Sequence, residues 1–297
     1  MNINGVTIED TFAEAFEMRA TRIVITAMDR NWVAHAAETM TGFATSVIGC
    51  GLEAGIEQYL EPEETPDGRP GVAVLLFAVS GKELTKHLQN RIGQSVLTCP
   101  TTAVFSGLDG EATPMGEGVR YFGDGYQISK LFGERRFWRV PVMDGEFVCE
   151  ATTGRVNAVG GGNFLVLGRS AEETLRALEA AIEAMSRAPG IIMPFPGGVV
   201  RSGSKVGSKY KALPASTNDA YCPTLRGLTD SNIGPEVGAV MEVVIDGLDP
   251  DSVSRAMAMG IQTVCAFGPD NGILGITAGN FGGDLGQFQF SLHEVLA

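Results

Sequence analysis

One carboxylate stands inside an otherwise apolar run, Glu242 in Val240-Met241-Glu242-Val243-Val244-Ile245-Asp246. Strand alternation puts Glu242, Val244 and Asp246 on one face. An acid in that setting either faces water, or lies in a cleft where desolvation raises its pKa and keeps it protonated as a hydrogen-bond donor. A second feature is a local inversion of charge. Between Glu183 and Asp219 there is no acidic residue, whereas Arg187, Arg201, Lys205, Lys209 and Lys211 are basic. With Gly203 and Gly207 among them, this stretch reads either as a solvated loop or as a dock for an anionic ligand, assisted by glycine amides. Cys99 and Cys222 each precede proline, which places a thiol at a turn, but the sequence positions no histidine to activate either. His35, His87 and His293 lack neighbours at metal-ligand spacing, so metal chemistry is not expected. The 39 glycines include neither a G-x-G-x-x-G after a strand nor a phosphate-loop motif, which disfavours a nucleotide fold.

The elements that must position these groups follow from periodicity. Residues 22–27 are a β-branched run, and Asp29 then caps a helix with Trp32, Val33, Ala36, Ala37 and Met40 at helical spacing. Strands are expected at 43–48 and 72–79. Ser80 opens a capping box for a helix carrying Leu84, Leu88 and Ile92; Gly93 should end it, with a last strand at 94–98. The order β-α-β-β-α-β is that of a ferredoxin-like split βαβ unit.

The same order recurs later. A strand at 164–167 leads to a Ser170 capping box and a helix with Leu175, Leu178, Ile182 and Met185 on one face. Strands at 190–195 and 240–246 follow, then a helix opened by Asp249-Pro250, then a strand at 261–266. A long excursion, 196–238, separates the middle strands. Between the two halves, 136–142 and 146–151 flank Met143-Asp144-Gly145 as a hairpin. The expected class is α+β, two tandem ferredoxin-like lobes with inserted β-hairpins, divided as 1–155 and 156–297.

Composition bounds the function. The chain has 297 residues, 44% hydrophobic and 19% charged, and a net charge of -13, which argues against nucleic acid or an anionic membrane as partner. No apolar run reaches the ~20 residues of a membrane span. Five scattered cysteines without a C-x-x-C pair, and an acidic N-terminus unlike a secretory signal, point to a reducing cytoplasmic setting.

Several longer strings carry a resemblance: Ile8-Glu9-Asp10-Thr11-Phe12-Ala13-Glu14-Ala15-Phe16, Thr65-Pro66-Asp67-Gly68-Arg69-Pro70-Gly71, Leu97-Thr98-Cys99-Pro100-Thr101-Thr102-Ala103, Phe195-Pro196-Gly197-Gly198, residues 202–209, Val244-Ile245-Asp246-Gly247-Leu248-Asp249 and Ile276-Thr277-Ala278-Gly279-Asn280. Over nearly its whole length the chain resembles the formylmethanofuran:tetrahydromethanopterin formyltransferases. The moderate acidity suits a bacterial, methylotroph-type member, the transferase subunit of a formyltransferase/hydrolase complex. The resemblance implies formyl transfer between N5 of tetrahydromethanopterin, or its dephospho form, and the primary amine of methanofuran or methylofuran. Both coenzymes are co-substrates, with no permanently bound cofactor and no metal. It implies that Glu242 is the catalytic acid, and that Arg201, Ser204, Lys205, Gly207, Lys209, Thr101, Asn163 and Asn280 bind substrate. The glutamate-rich tail of the furan coenzyme would suit the basic stretch. A homo-oligomer is expected.

Two other readings stand beside it. One is a non-catalytic assembly or coenzyme-binding subunit of such a complex. The other is a thiol-dependent acyl transferase using Cys99 or Cys222.

Overall fold

The computed structural model describes residues 1–297. The chain opens with a short hairpin, β1 (Asn2–Ile3) and β2 (Val6–Ile8), turned by Asn4 and Gly5, both with positive φ (51° and 81°), as the favoured two-residue hairpin turn requires. β3 (Phe12–Thr26) runs 15 residues, starting ten before the β-branched run alone suggests. α1 (Arg30–Thr41) begins where Asp29 accepts the Asn31 and Trp32 N–H groups, and it buries Val33, Ala36, Ala37 and Met40.

The strand expected at 43–48 is absent. Ser46 instead caps a single turn, α2 (Val47–Cys50), and the returning strand is β4 (Glu53–Leu60). β5 (Gly71–Ala78) is buried throughout, and α3 (Gly81–Arg91) starts at Ser80, whose hydroxyl accepts the Glu83 N–H. Gly93 does not end this helix, which widens into a π-turn closed by the Leu97 N–H on the Ile92 carbonyl at 2.8 Å. Ile92 and Val96 stay buried at helical spacing, and a Cβ on Gly93 would lie 2.8 Å from the Phe122 ring. No strand forms at 94–98; the fourth strand is β6 (Ala103–Ser106).

β7 (Glu111–Pro114) and α4 (Gly116–Val119) precede β8 (Ile128–Phe132), β9 (Arg135–Val142) and β10 (Gly145–Glu150), the last two forming the expected hairpin. β11 (Thr152–Gly168) is 17 residues long and leads through the Ser170 cap into α5 (Ala171–Met185). β12 is only Ile191–Ile192; Pro194 and Pro196, lacking N–H groups, cannot extend it. The excursion 196–238 holds short 3-10 turns and no strand of its own.

β13 (Ala239–Gly247) follows, then α6 (Pro250–Phe267) from the Asp249 cap. The stretch 261–266, expected as strand, is the last part of this helix. Ile261, Val264 and Cys265 are buried at helical spacing, and Gly260 packs so tightly that a Cβ would sit 2.5 Å from the Met185 sulfur. Packing overrides the β-branched composition here. The fourth strand is β14 (Ile273–Thr277), and β15 (Phe288–Ser291) and α7 (Leu292–Val295) close the chain.

The residues group into two compact units, Met18–Ala158 and Met1–Glu17 with Val159–Ala297. The sequence placed residues 1–155 in one lobe. Residues 1–17 cluster instead with the later part, because β2 pairs parallel with β14 (Ile8↔Ile276) and Phe12 to Ala15 pair with β15. Local patterns do not reveal pairings between strands so far apart. Both units are α+β with sheets mixing parallel and antiparallel pairs. In the unit 18–158 the order is β4-β5-β3-β6-β10-β9-β8; in the other it is β1-β2-β14-β11-β13-β12. One core gathers Met40, Leu76, Leu88 and Ile92, and the other Phe164, Met185, Ile245, Met257 and Val264.

Candidate functional site

β13 alternates as its sequence suggests. Val243 and Ile245 are fully buried in the core with residues of α5 and α6, which leaves Glu242, Val244 and Asp246 on the opposite face. Glu242 lies opposite Leu165 of β11, which in turn lies opposite Thr277 of β14. On its other flank the chain that follows β12 returns as a bridge. Val200 and Glu242 exchange both backbone hydrogen bonds, each 2.9 Å. The side chain is thus held between Leu165 and Val200, half-buried, with neither a hydrogen bond nor an ion pair on its carboxyl. Desolvation alone pushes its pKa up to about 7, so near neutral pH protonated and ionised forms coexist.

The bridge also fixes the basic stretch, since Arg201 directly follows Val200. Arg201 and Lys209 are exposed. Lys205 donates from Nζ to the Ala215 carbonyl at 2.9 Å, and the Ser204 carbonyl accepts the Asn218 N–H at 3.1 Å. Lys205, Gly207 and Ser208 all have positive φ (41°, 56° and 49°), a tight left-handed turn that two non-glycine residues adopt at a cost in strain.

Asn163 lies on the Glu242 face of β11, but its amide is fully engaged. Nδ2 donates to the Gly161 and Gly279 carbonyls at 3.1 Å, and Oδ1 accepts the Gly279 N–H at 2.6 Å. Asn280 donates to the Phe12 carbonyl at 3.1 Å and accepts the Gly282 N–H at 3.2 Å. Both asparagines therefore shape the chain after β14 and leave little capacity for a ligand. Thr101 belongs to the unit 18–158, apart from the unit of Glu242. Its φ is 67°, its N–H donates to Asp144 at 2.7 Å, its hydroxyl accepts the Met28 N–H at 3.1 Å and its carbonyl accepts Arg69 at 2.5 Å. It is a built turn with its polar groups spent.

Burial raises the pKa of Cys99, and that of Cys222 likewise, with carboxylates nearby adding to the effect. Neither thiol is poised as a thiolate, which removes support for thiol chemistry. No three His, Cys, Asp or Glu side chains converge to hold a metal ion. A cavity of about 430 Å³ in the unit 18–158 is lined by Ser106, Asp109, Arg135, Glu150 and Thr153. Its buried acid is already spent, Glu150 accepting Arg135 Nε at 2.7 Å and the Ser106 N–H at 2.8 Å. The unpaired, desolvated acid at Glu242 is the stronger mark of chemistry.

One residue escaped the sequence reading. Glu14, between two buried alanines of β3, is a buried acid whose carboxylate accepts backbone N–H groups from the segment after β14. The only signal was an isolated acid in an apolar alternation.

A family model described as formylmethanofuran-tetrahydromethanopterin formyltransferase matches residues 1–142, and the model of that family's proximal lobe matches 145–295. The formylmethanofuran--tetrahydromethanopterin formyltransferase of Methylococcus capsulatus is 62% identical over 298 residues, covering 100% of both chains. A subunit of the formyltransferase/hydrolase complex of Methylorubrum extorquens is 50% identical over 301 residues, covering 99% of this chain and 97% of its own. Among solved structures, a chain of the formyltransferase/hydrolase complex FhcABCD from Methylorubrum extorquens, in complex with methylofuran, superposes with a TM-score of 0.96 at 50% identity, covering 100% of this chain and 99% of that one. The formylmethanofuran:tetrahydromethanopterin formyltransferase of Methanosarcina barkeri gives 0.91 at 45% identity, covering 99% and 100%.

Proposed function

The chain belongs to the formylmethanofuran-tetrahydromethanopterin formyltransferase family, and from that membership we propose that its reaction turns on the carboxyl of Glu242. The protein is a formyltransferase of one-carbon metabolism, with tetrahydromethanopterin and a methanofuran-type coenzyme as co-substrates. The amine of one coenzyme attacks the formyl carbon carried by the other, and the carbonyl oxygen becomes an oxyanion. The tetrahedral species collapses with departure of the second amine. The attacking amine gives up one proton and the leaving amine takes one, so the net reaction consumes none.

The protein's tasks are to align two amines on one carbon and to stabilise the oxyanion. A protonated carboxyl donates a hydrogen bond to that oxygen, which a carboxylate does not. The observation that carries this reading is the unpaired, half-buried Glu242 side chain with a pKa of about 7. Arg201 directly follows the Val200–Glu242 bridge, with Lys205 and Lys209 further along the same basic stretch, and we assign the three to an anionic tail of the furan coenzyme. Ser204 and Gly207 belong to the same turn. Asn163 and Asn280 support the site by bonding within the protein, and Thr101 orders a turn in the other unit.

For the fold we read two tandem ferredoxin-like lobes, supported by the order second-third-first-fourth strand in both β4-β5-β3-β6 and β12-β13-β11-β14. The likeness to one subunit of a formyltransferase/hydrolase complex supports membership of an oligomeric assembly. No helix is long and apolar enough to cross a membrane, and five free cysteines support placement in the reducing cytoplasm.

The test is a formyl-transfer assay on the isolated protein beside Glu242→Gln and Glu242→Ala. The wild type is expected to turn over, Glu242→Ala to lose about 10²–10³-fold in kcat, and Glu242→Gln, which can still donate, to lose less. Full activity in Glu242→Ala would refute the mechanism. An inactive wild type would favour the non-catalytic subunit.

A further inference from the structure

Residues 279–286, which follow β14, are pinned by a single carboxylate. Glu14 Oε2 accepts the N–H groups of Phe281 at 2.6 Å and Gly283 at 3.0 Å, and Oε1 accepts those of Leu285 at 2.6 Å and Gly286. These bonds, the one from Gly286 foremost, lower the Glu14 pKa to about 2, so the charge persists at every working pH. The fit is tight at Gly286, where a Cβ would lie 2.5 Å from the Ala15 carbonyl. Asn163 clasps the near end at Gly279, and the Gln287 side chain accepts the Glu17 N–H at 2.9 Å just beyond the far end.

With four N–H groups turned inward, the outer surface of the loop is poor in donors. It presents Phe281 and Leu285, 49% and 61% exposed, and the Phe281 ring is backed by Phe16 at 6.1 Å. Phe16 packs near Gly161, whose N–H donates to Asp246, a residue on the Glu242 face of β13. Asp246 lies four positions along the strand from Glu242, roughly 13 Å. The same loop leaves β14 just after Thr277, which lies opposite Leu165 and so is one strand removed from Glu242, and an aromatic surface there suits a flat ring far better than an anionic tail.

We propose that residues 279–286 form the wall against which the flat ring of one co-substrate lies, and that Glu14 is the positioning residue that sets the shape of this wall. The inference rests on the reading that Glu242 marks the reacting face. Furan and pterin share the required flat-ring chemistry, and kinetics with each coenzyme varied in turn tells them apart.

The experiment measures KM for both coenzymes, and kcat, in Phe281→Ala, Glu14→Gln and Glu14→Asp. Phe281→Ala, a surface change, and Glu14→Gln are both expected to raise the same single KM about tenfold. The other KM and kcat should stay within about twofold, with Glu14→Asp falling between wild type and Glu14→Gln. Unchanged KM values in Phe281→Ala overturn the proposal, whatever the folding of the Glu14 variants. So does a Glu14→Gln protein that melts earlier but binds both coenzymes normally, or one in which both KM values rise equally. If the single-KM effect appears while Glu242→Ala remains fully active, the wall stands and the catalytic reading of Glu242 falls.

Discussion

Glu242 is held in a state that favours its proton and disfavours the folded protein at high pH. In the unfolded chain its carboxyl titrates near the ordinary value of 4.5, and in the fold near 7. Between those values the folded state binds more protons than the unfolded one, so this residue's contribution to stability falls as pH rises from about 4.5 to 7. The difference approaches roughly 3 kcal/mol above the upper value. Glu242→Gln is therefore expected to raise Tm at pH 8 and leave it nearly unchanged at pH 4, read by thermal melts at both. In the wild type, kcat should fall with a midpoint near 7 as the acid ionises, and this limb should vanish in Glu242→Gln. Persistence of the limb would assign it to another group. The sequence made this residue legible because a lone acid in a β-branched run is conspicuous. It did not show that Asn163, Asn280 and Thr101 spend their polar groups internally, since that depends on neighbours more than a hundred residues away for Asn163 and Asn280.

Helix starts were the most readable elements, because each depends on a local bond: Asp29, Ser80, Ser170 and Asp249 all cap the helices they were expected to cap. Strands after helices were misread at 94–98 and 261–266, where buried faces at helical spacing carried the helix through residues of high strand preference. The basic turn after Val200 belongs to this scale as well. Its backbone is strained at Lys205 and Ser208, and its electrostatics should be screened by salt. Lys205→Glu with Lys209→Glu is expected to raise KM for the furan coenzyme several-fold, more at low salt, while leaving KM for the pterin nearly unchanged. Equal effects on both coenzymes would remove the assignment.

At the scale of the chain, the sequence suggested a mixed order of strands and helices recurring in its two halves, of which the α+β class is what the structure bears out, and it did not reveal the affiliation of residues 1–17. Sheet bonds from Thr7 and Ile8 to Gly275 and Ile276 tie the N-terminus to β14, which neighbours the strand opposite Glu242. A variant lacking residues 1–9 should lose hydrogen-exchange protection across β14 while β5, in the other unit, keeps it; uniform loss across both would contradict the division. In the proposed mechanism, whatever assembly the protein joins, the chemistry depends on a single proton. The direct measurement is a carbon-13 NMR titration of labelled glutamate carboxyls in the folded protein, with Glu242→Gln identifying the signal. A midpoint near 7 is expected for Glu242; a midpoint at or below the ordinary carboxyl value of 4.5 would contradict the proposed role of its proton.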